Sequence, residues 1–81
     1  MNMRDFLLSV GDGKGGFHAE GNEVSDLQKF KAIVDIAEEA YELGFIDFYK
    51  PHIESYTGNR YCDAFLAANL TEEGRAYLAG S

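Results

Sequence analysis

The side chains able to do chemistry are few in this chain, and their spacing decides what each could do. Ser25, His52 and Asp63 are the types of a nucleophile, a base and an orienting acid. With two histidines and fourteen acidic side chains such a set can be drawn in almost any sequence, and no Gly-x-Ser-x-Gly elbow is present. Cys62 with His52 would make a thiolate and its base, but a cysteine in a strand reads first as a small buried hydrophobe. Glu38-Glu39 and Glu72-Glu73 are sequence neighbours on helical segments, so they diverge toward solvent instead of converging as a catalytic dyad does. His18 and His52 stand far apart, with neither a His-x-x-x-His nor a carboxylate at ligand spacing. The glycine-rich run Gly11-Asp12-Gly13-Lys14-Gly15-Gly16 offers consecutive amides and one cation. It lacks the P-loop spacing, follows a helical segment and opens into no helix, so it reads as a connecting loop. The reading is a non-catalytic chain with no cofactor and no metal.

Length and composition support that reading. Eighty-one residues make one small domain over 1–81, with too little core to enclose a water-excluding pocket easily. The chain is 46% apolar and 26% charged, as a folded domain is, and its net charge of −7 repels phosphate polymers and anionic membranes at long range. A single cysteine permits no internal disulfide, and the first ten residues hold no signal-peptide core or membrane span; the expected setting is the cytoplasm.

The elements that must position these side chains follow from periodicity and end signals. Met3, Phe6, Leu7 and Val10 recur at helical spacing, and Gly11 ends that short helix. Phe17 to Glu20 reads as a short strand before a turn at Gly21-Asn22. Ser25-Asp26-Leu27-Gln28 has the form of a capping box, predicting a long helix from Ser25. Its apolar stripe is Leu27, Phe30, Ile33, Val34, Ala37, Ala40 and Tyr41; Asp35, Glu38, Glu39 and Glu42 take the opposite face, and Gly44 is the left-handed cap. Phe45 to Tyr49 and Tyr61 to Leu66 then predict antiparallel strands across Thr57-Gly58-Asn59-Arg60, with Gly58-Asn59 as the positive-φ pair and Pro51 marking an edge or a bulge. Thr71 caps a final helix in which Tyr77 and Leu78 pack inward and Gly80 is the end.

This order, with Leu43-Gly44-Phe45-Ile46 closing the long helix and Leu70-Thr71-Glu72-Glu73-Gly74-Arg75-Ala76-Tyr77-Leu78 after the hairpin, resembles the winged-helix architecture of small bacterial and phage proteins. The resemblance runs from Ser25 to Leu78. It implies an α+β fold with a short N-terminal helix, a long central helix, a β-hairpin wing and a short C-terminal helix. The glycine-rich region before Ser25 leaves no room for the usual positioning helix.

Two functions are open to such a fold. The resemblance implies DNA binding, with Gln28, Lys29 and Lys31 of the central helix and Asn59 and Arg60 of the hairpin tip as the contacts. Residues 32–54, however, carry one basic and six acidic side chains, so the helix brings Asp35, Glu38, Glu39 and Glu42 toward phosphates. The favoured expectation is therefore protein interaction, with a partner or as a homodimer: the hairpin holds more aromatics than one buried face needs, so alternation turns some of them away from the core, and Phe48, Tyr49, Tyr56 and Tyr61 are the candidates.

Overall fold

A computed structural model describes residues 1–80. The first helix, α1, is Met3–Gly11; the Asn2 side chain caps it by accepting the Asp5 amide at 2.8 Å, and Phe6, Leu7 and Val10 are its buried side. The glycine-rich run is hydrogen-bonded at both ends. Gly13 and Lys14 donate to the carbonyls of Val10 and Ser9, and the Gly15 carbonyl accepts the Ala67 amide at 2.9 Å. A strand of three residues, β1, covers Gly16–His18. It stops short of the expected Glu20, because the last ladder-like bond is the Ala19 amide donating to Asp63.

The long helix α2 is Val24–Glu42 and begins before Ser25. Its capping box joins Glu23 and Asp26, the Glu23 amide donating to Asp26 Oδ2 at 3.3 Å. Ser25 is thus already inside the first turn, where its hydroxyl cannot act as the cap. Leu27, Phe30, Val34, Ala37 and Ala40 are buried as the stripe requires, whereas Tyr41 stays about half exposed. Gly44, at φ +79°, ends the helix: its amide donates to Tyr41 and the Phe45 amide to Ala40, the double bond of a Schellman motif.

Strands β2 (Ile46–Ile53) and β3 (Cys62–Leu70) pair antiparallel, and β1 joins the far side of β3, giving the order β1-β3-β2. Pro51 accordingly lies on an edge strand, where its missing amide costs no ladder bond inside the sheet. The connection between β2 and β3 is longer than a tight hairpin turn, and the left-handed residues in it are Gly58 and Arg60, not Gly58 and Asn59. Helix α3 is Glu72–Gly80; Thr71 Oγ1 accepts the Gly74 amide at 3.1 Å as its cap. A Cβ on Gly74 would collide with the Phe45 carbonyl and the Leu70 side chain, so this glycine sets how closely α3 seats. Leu78 packs against the core, while Tyr77 lies at its border with its ring 5.0 Å from that of Phe45.

One core joins these elements. Phe65 of β3 stacks on Phe17 at 4.9 Å and on Phe30 at 5.6 Å between ring centroids, and Phe6 meets Phe17 at 5.2 Å. Each such buried ring contributes about 1.5–3 kcal/mol of transfer free energy. The protein is α+β, three helices with a three-stranded antiparallel sheet, and its layout is compatible with a winged-helix-like fold. Among the described residues no helix is long and apolar enough to cross a membrane.

Candidate functional site

The sheet is covered on one side only. Phe17, Phe65 and Ala67 face α1 and α2 and are buried. Strand alternation sends their neighbours the other way, and the register sets them in rows: Gly16, Leu66 and Lys50 in one, His18, Ala64 and His52 in the next, Ala68 beside Phe48 in a third. Leu66, in the middle strand, is 50% exposed and Phe48 41%. A central-strand leucine is ordinarily covered; here it projects from an apolar floor of alanine and glycine. The depression around it is lined by His18, Lys50, His52 and Ala64 and by no acidic side chain among the described residues. In a chain of net charge −7, that composition sets this face apart from the acidic outer side of α2.

A β-bulge shapes one end of the face. His52 pairs with Ala64 and Ile53 with Cys62, so Asp63 is the extra residue of β3. The bulge turns the Asp63 carboxylate toward His52 Nδ1 at 2.7 Å, and the Tyr56 hydroxyl donates to its other oxygen at 3.3 Å. An ionised carboxylate only accepts, so His52 carries its proton on Nδ1 and leaves Nε2 toward solvent. His18 repeats the arrangement with Nδ1 3.0 Å from the Ala19 carbonyl.

The bulge also inverts the alternation beyond it, so Cys62 points to the helix side, near Leu27 and Val34. Burial pushes its thiol up, and the thiol donates to the Ala64 carbonyl at 3.2 Å. The Cys62–His52 pairing therefore does not form. Of the drawn triad only His52 and Asp63 are bonded, and Ser25 lies in the first turn of α2.

The residues singled out for DNA contact do not form a stripe. Two positions apart on α2, Lys29 and Lys31 point about 200° apart around the helix. Lys29 borders the groove beside Lys14 and His18; Lys31 borders the crevice with Arg60, Asp35 and Glu38, and its Nζ is 3.1 Å from Asp35. Gln28 Nε2 donates to the Tyr61 hydroxyl at 3.4 Å, tying the helix to the hairpin. Asn59 is exposed, with its amide donating to Thr57 Oγ1.

The four interface aromatics also divide. Phe48 lies on the open face and Tyr56 at its bulged end, both exposed. Tyr49 turns inward, its ring 5.5 Å from Phe65 and 6.1 Å from Tyr41, and Tyr61 is half-buried against Gln28. Sequence reasoning counted aromatics and missed Leu66, Lys50, Ala64 and Ala68; the two-residue period around Phe65 was the signal that would have found them.

Comparison with known proteins adds no relative: no family model, no curated protein and no solved structure matches the chain.

Proposed function

We propose that this chain is a non-catalytic, winged-helix-like cytoplasmic domain that acts by binding protein, either a partner or a second copy, through the open face of its sheet. The observation that carries the reading is Leu66, half exposed at the centre of the middle strand with Phe48 beside it and alanines as its floor. Apolar side chains grouped on a regular surface mark an interaction site, because water is released when a second surface covers them. The absence of acidic groups in its lining fits contact with an acidic partner surface. The winged-helix-like assignment draws on the sheet order and on the long helix that precedes the hairpin.

DNA binding is the competing reading and has less support. Lys29 and Lys31 point apart, Lys31 is paired with Asp35, and Glu23 and Asp26 occupy the end of α2 that would enter a groove. Sedimentation of wild type and Leu66→Lys, alongside a low-salt mobility shift with random duplex DNA, tests both. The proposal expects association that Leu66→Lys abolishes and no retarded DNA. Steeply salt-dependent retardation, lost on substituting Lys29, Lys31 and Arg60 but kept by Leu66→Lys, would overturn it.

A further inference from the structure

We infer that His18 and His52 form half of a transition-metal site that a second copy of this chain completes, joining two open sheet faces around one zinc-class ion. The inference rests on the interaction reading and names the partner. The two histidines are distant in sequence, but the β1-β3-β2 order sets them on one row with only Ala64 between. Two interstrand spacings hold their Cα atoms roughly 10 Å apart, and the small Ala64 leaves room for both rings to lean over it.

Ring chemistry is the stronger argument. Metal-bound imidazoles ordinarily donate their other ring proton to a carboxylate or a carbonyl, which fixes the tautomer and orients the lone pair. His52 does this to Asp63 at 2.7 Å and His18 to the Ala19 carbonyl at 3.0 Å. Both lone pairs therefore sit on Nε2, in side chains that the strand register places on the open face. The side chain of His52 is 72% exposed, so no packing holds it there; the Asp63 carboxylate, delivered by the bulge, does.

Ligand count selects the occupant. Among the described residues no group of three or more histidine, cysteine, aspartate or glutamate side chains can hold a metal ion. Two imidazoles are half of a tetrahedral set, and a two-fold axis doubles two to four. Lys50 of each copy and the ion are like charges across such a contact, so ligation has to outweigh their repulsion. Facing sheets pack about 10 Å apart, so imidazoles from each side meet midway, and Leu66 of one copy can seat over the alanine floor of the other. Three rows across three strands make a face of roughly 300 Å², well under the ~800 Å² per partner of a stable interface. Apolar contact alone is thus too small, and ligation supplies the remainder.

The experiment measures mass by sedimentation with zinc chloride or with EDTA, and zinc affinity by competition with a chromophoric chelator. Wild type is expected to be monomeric in EDTA and dimeric with zinc at one ion per two chains. His18→Ala and His52→Ala, both at exposed positions, are expected to keep the wild-type circular dichroism and stay monomeric with zinc. Asp63→Asn, a change in a positioning residue, is expected to weaken zinc binding about 10–100-fold. A wild type that stays monomeric at zinc saturation, or a histidine variant that dimerises like wild type, overturns the inference. A dimer equally present in EDTA and abolished by Leu66→Lys also overturns it, while leaving the interaction reading standing.

Discussion

Glu54 Oε2 accepts the Tyr61 amide at 2.9 Å, so the first residue after β2 holds the last residue before β3. The same carboxylate accepts the Thr57 amide at 3.0 Å and the Thr57 hydroxyl, and it is almost completely buried. Burial by itself would push this carboxyl up. The hydrogen bonds from Thr57, Tyr61 and Tyr56 outweigh it and hold the group below its ordinary value. Because the folded value is the lower one, the stabilisation is complete above the ordinary carboxylate value and is lost as pH falls from there through the folded value. Thermal unfolding between neutral and acid pH is expected to show Tm falling in that window. Glu54→Gln is expected to lower Tm at neutral pH and flatten the acid dependence; an unchanged profile would count against Glu54 as the loop's organiser.

Gly74 is the seat of α3. An added methyl meets the Phe45 backbone, which cannot rotate away as a side-chain end would. Gly74→Ala is expected to cost about 1–3 kcal/mol despite the gain in helix propensity, measured as a shift in the urea midpoint. A stabilised variant would show that α3 docks less closely.

Leu66 and Phe65 are chain neighbours on opposite faces of β3, one half exposed and one buried. Leu66→Lys is expected to change stability by less than about 0.5–1 kcal/mol while abolishing association. Phe65→Ala removes a ring that touches Phe6, Phe17, Phe30 and Tyr49 and is expected to cost about 3–5 kcal/mol, much of the stability of a domain this small. Equal effects of the two on the denaturation midpoint would refute the one-sided sheet.

The Tyr49 hydroxyl is buried, and no hydrogen bond of ordinary geometry reaches it. Burial first, then the nearby Cys62, Glu38 and Asp35, push the phenol up. Tyr49→Phe deletes an unsatisfied polar atom and keeps the ring, so it is expected to be neutral or stabilising by about 1 kcal/mol. The phenol's raised folded value means that its contribution is complete below the ordinary tyrosine value and is lost only as pH rises through the folded one. A spectrophotometric titration is expected to show late-ionising tyrosines, Tyr56 among them, of which Tyr49→Phe removes one.

Half-buried and with its thiol held by the Ala64 carbonyl, Cys62 has a thiol pushed up, first by burial. Alkylation at mildly alkaline pH is expected to be much slower in the native protein than in urea. Equal rates would place the sulfur on the open face instead.

What the amino-acid sequence determined by itself was local: the helical stripes of α1 and α2, the Gly44 cap, the Thr71 cap and the acidic outer side of α2. Each depends on residues within one or two turns of one another, so periodicity and cap chemistry are enough to read it. Even locally the start of α2 slipped, because Glu23 with Asp26 competes with Ser25 for the same amides. Only the tertiary structure decided what depends on register. Phe48 and Tyr49 looked alike as strand aromatics, and pairing with Ala68 or Ala67 sent them to opposite faces. His18 and His52 share a row, and Asp63 meets His52, because β3 lies between two strands distant in sequence and gains one extra residue where they cross. Side-chain direction in a sheet reverses with every one-residue shift, and no local signal in the chain encodes which strand lies alongside or where a bulge falls.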